Sequence, residues 1–275
     1  MNWWGKVIGG AIGFTLGPIG AILGASIGHL FDKGLDNIGN QTIELDDVER
    51  IRAAFFTATF SVMGYIAKAD GRVTPDEIEL ATSVMDQLEL EDDKRKIARD
   101  LFRQGKQSDF PLDDVLEQFR QECRFGQNLI QMFLEIQLSM VLADGVLHPA
   151  EAEAINHIGA RLGFSRHDLD DLLNRMRAET EYSYYYAYEG DETAYQKQSK
   201  PKPAVSELEL AYKVLGVSAK ASNDEVKIAY RRLINQHHPD KLVSKGLPEE
   251  MMELAKQKSQ ELTAAYQTVK KARQF

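Results

Sequence analysis

The sequence predicts an all-α protein in three parts: a single N-terminal transmembrane helix, a helical bundle, and a C-terminal set of antiparallel helices. Three observations carry this. No segment of the 275 residues shows the period-two apolar alternation of a half-buried strand. Residues 7–31 form a run of 25 without a formal charge. The remainder falls into amphipathic stretches of helical period, punctuated by Gly, Pro and Asp-Gly turns.

The uncharged run, bounded by Lys6 and Asp32, makes a helix of roughly 37 Å, enough to cross a hydrocarbon core of about 30 Å with some tilt. Glycines recur along it at 5, 9, 13 and 17, then at 20, 24 and 28. In water that spacing weakens a helix, whereas in a bilayer it lets two backbones approach closely. Gly9, Gly13, Gly17, Gly20, Gly24 and Gly28 are therefore the expected face of a homodimer in the membrane. Pro18 predicts a kink, and Trp3 and Trp4 suit an interfacial aromatic belt. The competing readings are a cleaved signal peptide and a buried glycine-rich hairpin. The stretch is long for a signal's apolar region, and Leu23 fits poorly as the third residue before a cut after Ala25. A short exterior segment 1–6, the span 7–31 and a juxtamembrane segment 32–43 are expected.

From 44 to 178 the sequence reads as a helical bundle. Val48, Ile51, Phe55, Val62 and Ile66 form one stripe on residues 44–68. Further helical stretches fall at about 75–89, 92–105, 111–122, 127–143, 149–162 and 166–178. An internal repeat runs at an offset of 74 residues: Ala69-Asp70-Gly71 with Pro75 and Glu77 returns as Ala143-Asp144-Gly145 with Pro149 and Glu151. Each copy is a helix, a tight turn and a second helix opened by proline. Residues 179–205, rich in tyrosine and acids and ending in Lys200-Pro-Lys-Pro203, read as a linker, with docking of the tyrosines on the bundle or on a client protein as the alternative.

Residues 206–275 hold the most informative site. Ser206 to Val217 predicts a short helix ending at Gly216, with Leu208, Ala211, Tyr212 and Leu215 on one buried face. Ser222 and Glu225 form a capping-box pair that opens a second helix, with Val226, Tyr230, Leu233 and His237 inward. Its outer side is basic: Lys227 and Arg231 lie four apart, Arg232 beside them, and Lys241 just beyond. Pro239 ends that helix, so His238 and Asp240 should project from a loop. A third helix starts at Pro248-Glu249-Glu250 and packs back through Leu254, Leu262, Ala265, Tyr266 and Val269.

Tyr212-Lys-Val-Leu-Gly-Val217, Ala229-Tyr-Arg-Arg-Leu233, His237-His-Pro-Asp-Lys241 and Glu261-Leu-Thr-Ala-Ala-Tyr266 resemble the J-domain in order and spacing. The resemblance implies an Hsp70 partner. The basic face of Lys227, Arg231, Arg232 and Lys241 would meet an acidic surface, and His238-Pro239-Asp240 would reach the junction of its ATPase domain and linker. Two departures stand out: the stretch from Lys241 to Glu253 is longer than in the commonest J-domains, and Phe275 comes before any fourth helix. The duplicated Asp-Gly unit resembles the TerB-type domain, which implies a divalent-cation site at Asp70, Glu77, Asp144 and Glu151. Against it stands the plainer reading of turn aspartates and N3 glutamates that cap helices. An EF-hand fails, because Ala81 stands where the twelfth loop position needs Glu.

The whole chain resembles the DjlA type of membrane-anchored, DnaJ-like co-chaperones. That implies a regulator of the DnaK-type Hsp70 rather than an enzyme, held at the bacterial inner membrane. Lys6 against Lys33, Arg50 and Arg52 is nearly a tie under the positive-inside rule. Topology then follows from the partner: N-terminus periplasmic, bulk cytoplasmic. The alternative is a TerB-type metal-stress sensor with an accessory J-domain.

Charge and composition agree. Residues 207–275 carry 12 Lys and Arg against 9 Asp and Glu, +3, and the whole chain carries -9, so residues 1–206 carry -12. That acidity argues against nucleic acid as a partner. Cys123, the only cysteine, excludes an intrachain disulfide and a cysteine zinc site. No nucleophile paired with a base and no phosphate-binding loop is visible, so neither intrinsic catalysis nor a cofactor beyond that cation is expected.

Overall fold

The computed structural model describes residues 17–23, 47–69, 82, 84–86, 88–124, 126–142, 147–188 and 206–275, and among them every regular element is helical. The chain divides into two compact units. The first runs to Ser165 and includes Leu242–Leu254, and the second holds Arg166–Lys241 and Ala255–Phe275.

The first unit is built around α1, Asp47–Ala67, which packs against α2 (Asp92–Gly105), α3 (Leu112–Glu122), α4 (Gln127–Val141) and α5 (Pro149–Arg161). The sequence predicts a single apolar stripe on α1. Instead every residue from Ala53 to Gly64 is buried, because neighbours cover the helix on all sides, while Val48 at the start of the stripe is exposed. Phe55, Phe119 and Phe133 meet at ring-centroid distances of 5.8, 6.4 and 4.7 Å and form the aromatic centre. The α1–α2 crossing is too close for any side chain: a Cβ on Gly64 would lie 2.0 Å from the Phe102 carbonyl oxygen, and one on Gly105 1.8 Å from that of Ser61. Gln137, fully buried on α4, donates to the Thr59 carbonyl at 3.2 Å.

Residues 17–23 are helical and belong to the same unit. The Ile19 N–H donates to Gln118 Oε1 at 2.9 Å, Gln104 Nε2 donates to the Ile22 carbonyl at 3.1 Å, and Ile19 and Leu23 are buried. Gly17 takes φ +60°, a conformation that itself favours glycine. The rest of the expected span, with Gly9, Gly13, Gly24 and Gly28, lies outside the described residues. Among those described, no helix is long and apolar enough to cross a membrane.

The second unit contains α6 (Arg166–Tyr188), α7 (Glu207–Val214), α8 (Asn223–His237), the start of α9 (Pro239–Val243) and most of α10 (Met252–Arg273). Three features differ from the sequence reading, the first being that Leu254, expected to pack α10 into this unit, belongs to the other one. The helix expected at 166–178 runs ten residues further, through the start of the expected linker. Its physical reason is burial: Ala178 and Tyr182 join the core of this unit beside Leu210, Val214, Leu262 and Val269. For α7, the predicted single face is also too narrow, since Leu210 and Val214 are fully buried as well and α6 packs along the helix.

The local signals hold. Gly216 has φ +64°, as a helix-ending glycine requires. Ser222 and Glu225 complete their capping box: the Glu225 N–H donates to Ser222 Oγ at 3.2 Å, and the Ser222 N–H donates to the Glu225 carboxylate at 2.6 Å. At the far end Arg273 ties the α7–α8 turn, donating to the Ala221 and Ala219 carbonyls at 2.5 and 2.7 Å. Its guanidinium also lies over the Tyr212 ring at 4.9 Å.

Candidate functional site

The site is the junction of α8 and α9. Pro239 cannot continue α8, and the residue before a proline avoids the helical region. His238 accordingly has φ −64° and ψ 122°. The chain does not then become an irregular loop, which is the form the sequence predicts. Pro239 takes the first position of α9, where its missing N–H costs nothing, and the Lys241 N–H donates back to the His238 carbonyl at 3.1 Å. The tripeptide is thus one extended residue followed by an ordered helical turn.

Both sides of this turn are anchored. His237 is buried to 2% exposure, and its Nδ1–H donates to the Leu233 carbonyl at 2.9 Å. Ser259, on α10, donates its hydroxyl to the His237 carbonyl at 2.9 Å, which fixes the peptide just before His238. On the other side Leu242 is fully buried. Between these anchors His238 and Pro239 are half-buried, and Asp240 and Lys241 are exposed.

The basic stripe is only partly open. Arg231 and Arg232 are exposed on α8. Lys227 is half-buried: it lies 3.6 Å from Asp224 and sits over the Phe275 ring, 5.2 Å from its centroid. Lys241 Nζ donates to Asn235 Oδ1. Ile228, 64% exposed, interrupts the charged surface. Beneath the stripe, Tyr230 and Tyr266 stack with centroids 4.1 Å apart, and Phe275 meets Tyr266 edge-on at 6.2 Å. Ser259 and Phe275 are the residues that sequence reasoning missed. A serine on a long helix gives no local signal of a partner 22 residues away, and Phe275 follows the last recognisable apolar repeat.

For the acidic set, Glu151 accepts the His148 N–H at 2.9 Å and caps α5, as the plainer reading holds. Asp70, Glu77 and Asp144 lie outside the described residues. Among the described residues, no group of three or more His, Cys, Asp or Glu side chains is placed to hold a metal ion.

Three family models match along the chain in order: the co-chaperone DjlA transmembrane domain over residues 1–38, the tellurite resistance protein TerB over 56–174 and the DnaJ domain over 210–274. The chain is 41% identical over 279 residues to the co-chaperone protein DjlA of Yersinia pseudotuberculosis, covering all of both sequences. It is 43% identical over 278 residues to that of Coxiella burnetii and 43% over 274 residues to that of Shewanella oneidensis, covering 99% of each sequence in both cases. No solved structure matches. The anchored His238-Pro239-Asp240 turn within a DnaJ domain, the preceding TerB domain and the full-length identity together show that the chain belongs to the DjlA co-chaperone family.

Proposed function

We propose that the chain stimulates ATP hydrolysis by a DnaK-type Hsp70 and brings that chaperone to the cytoplasmic face of the inner membrane. The observation that carries this is the junction itself: an ordered His238-Pro239-Asp240 turn with Arg231, Arg232, Asp240 and Lys241 exposed beside it. Complementary charge of this kind sets encounter rate and orientation, and the turn supplies a fixed geometry for the contact that follows. Lys227 contributes charge from a position held by Phe275. The DjlA-type transmembrane domain at residues 1–38 supports membrane anchoring. An ATP-dependent partner requires the C-terminal bulk to face the cytoplasm.

The test is single-turnover ATP hydrolysis by the Hsp70 with the full chain in lipid nanodiscs. Stimulation that weakens as salt rises is expected. Absence of stimulation overturns the proposal. Self-association through Gly9, Gly13, Gly24 and Gly28 belongs to the same reading, whereas Gly17 and Gly20 of the expected face lie in the segment packed against Gln118 and Gln104. Gly13→Leu and Gly24→Leu should lower crosslinking yield in membranes, and an unchanged yield removes the glycine face.

A further inference from the structure

A five-residue helix such as α9 is too short to be stable by itself, so the docking turn owes its order to what holds each end. The His237 end is held by Leu233 and Ser259. The other end enters Leu242–Leu254, the stretch the sequence marks as longer than usual, and this stretch belongs to the first unit. It is a built contact. Leu242, Gly246, Leu247, Pro248 and Met251 are buried. Gly246 takes φ +105°, and a Cβ there would come 2.5 Å from Ile51 Cγ2 on α1. The turn before it closes on itself, with the Leu247 N–H donating to the Leu242 carbonyl at 2.9 Å.

Two ion pairs fasten the same stretch. Lys94, on α2, lies 3.0 Å from the Glu250 carboxylate, with side chains only 13% and 9% exposed. Arg52, on α1, lies 3.7 Å from Glu249 at a more exposed position. The first is the stronger fastening, because a shielded pair is screened less and loses more when one partner is removed.

We propose that Leu242–Leu254 is a strap whose seating on α1 and α2 holds the C-terminal end of α9, and that Lys94 and Glu250 are positioning residues for the His238-Pro239-Asp240 turn. This deepens the co-chaperone reading and rests on it. Asp240, Lys241, Arg231 and Arg232 are exposed, and the turn they flank is the one the strap steadies through the chain. Loss of seating lets α9 fray, and the partner then pays for ordering the turn at the moment of binding, which raises the concentration needed without changing the hydrolysis step itself.

The experiment uses the full chain in nanodiscs with Lys94→Glu, Glu250→Lys, the double exchange and Gly246→Val. Hydrogen exchange at the Lys245, Gly246 and Leu247 amides reads the strap, and single-turnover hydrolysis by Hsp70 reads the turn. In both charge variants and in Gly246→Val, exchange should quicken. Their half-maximal concentration for stimulation should rise about fivefold, equivalent to about 1 kcal/mol, at an unchanged maximum. The double exchange should restore both. Faster exchange with an unaltered half-maximal concentration overturns the positioning role, and unaltered exchange in every variant overturns the strap. A wild-type chain that fails to stimulate at all overturns the co-chaperone reading and the positioning role with it, while the exchange data still report whether the strap is seated.

Discussion

The hydroxyl groups of Tyr182 and Thr268 lie 2.9 Å apart across 86 residues of sequence. This bond joins α6 to α10 and makes α6 part of the core that carries the His238-Pro239-Asp240 turn. Ser183 adds a hydroxyl bond to Glu261 at 3.1 Å, and Lys258 pairs with the buried Glu179.

Tyr182→Ala should therefore destabilise the second unit by about 3 kcal/mol, the usual range for truncating a buried aromatic. Tyr182→Phe, which keeps the ring and loses one hydrogen bond, should cost about 1 kcal/mol. Urea unfolding followed by hydrogen exchange of α7 and α10 amides checks both. Equal stability of the alanine variant and the wild type would return α6 to the role of a linker.

At the α1–α2 crossing, Gly64→Ala and Gly105→Ala should each lower stability by about 2 kcal/mol or more, despite alanine's helix preference of about 1 kcal/mol. The added methyl meets a backbone carbonyl in both cases, and a backbone cannot turn aside as a flexible side chain can. Thermal unfolding of the two variants tests this, and a rise in melting temperature would contradict the close approach.

Glu225 gives a pH dependence of defined sign. The Ser222 N–H and hydroxyl, hydrogen-bonding its carboxylate form, hold its pKa below the ordinary carboxylate value. A depressed folded pKa means that the contribution is complete above the unfolded pKa, near pH 4.3, and is lost as pH falls through the lower folded value. Chemical denaturation of wild type and Glu225→Gln from pH 6 to pH 3 should show the wild type losing its advantage toward the acid end. A difference that does not vary with pH would contradict it.

Cys123 is 1% exposed, and burial raises its thiol pKa well above the usual range. The thiolate is the reactive form, so an aromatic disulfide reagent at pH 8 should leave the native protein unmodified and label one thiol after unfolding. Rapid labelling of the native protein would show that the end of α3 opens.

What the sequence made legible is what local chemistry decides. Ser222 with Glu225, Gly216 and Pro239 mark helix ends through their own backbone needs, so the second unit's helices begin and end near their expected places. Tertiary decisions were less legible. Tyr182 sits among acids and other tyrosines, and its local composition reads as linker because nothing nearby announces Thr268. Gly64 and Gly105 look like ordinary helix-weakening residues until two backbones meet. In the site, the exposed Arg231 and Arg232 followed from helical spacing alone, whereas the hold of Phe275 on Lys227 and of Ser259 on His237 depends on α10 folding back over α8.

The central claim is that the anchored His238-Pro239-Asp240 turn drives the partner's ATPase. Its most direct test is single-turnover ATP hydrolysis by a DnaK-type Hsp70 with the full chain, wild type against His238→Gln. The account predicts stimulation by the wild type and a hydrolysis rate near the unstimulated one with the variant, although the variant keeps its helical content. Equal stimulation by the two proteins would contradict it.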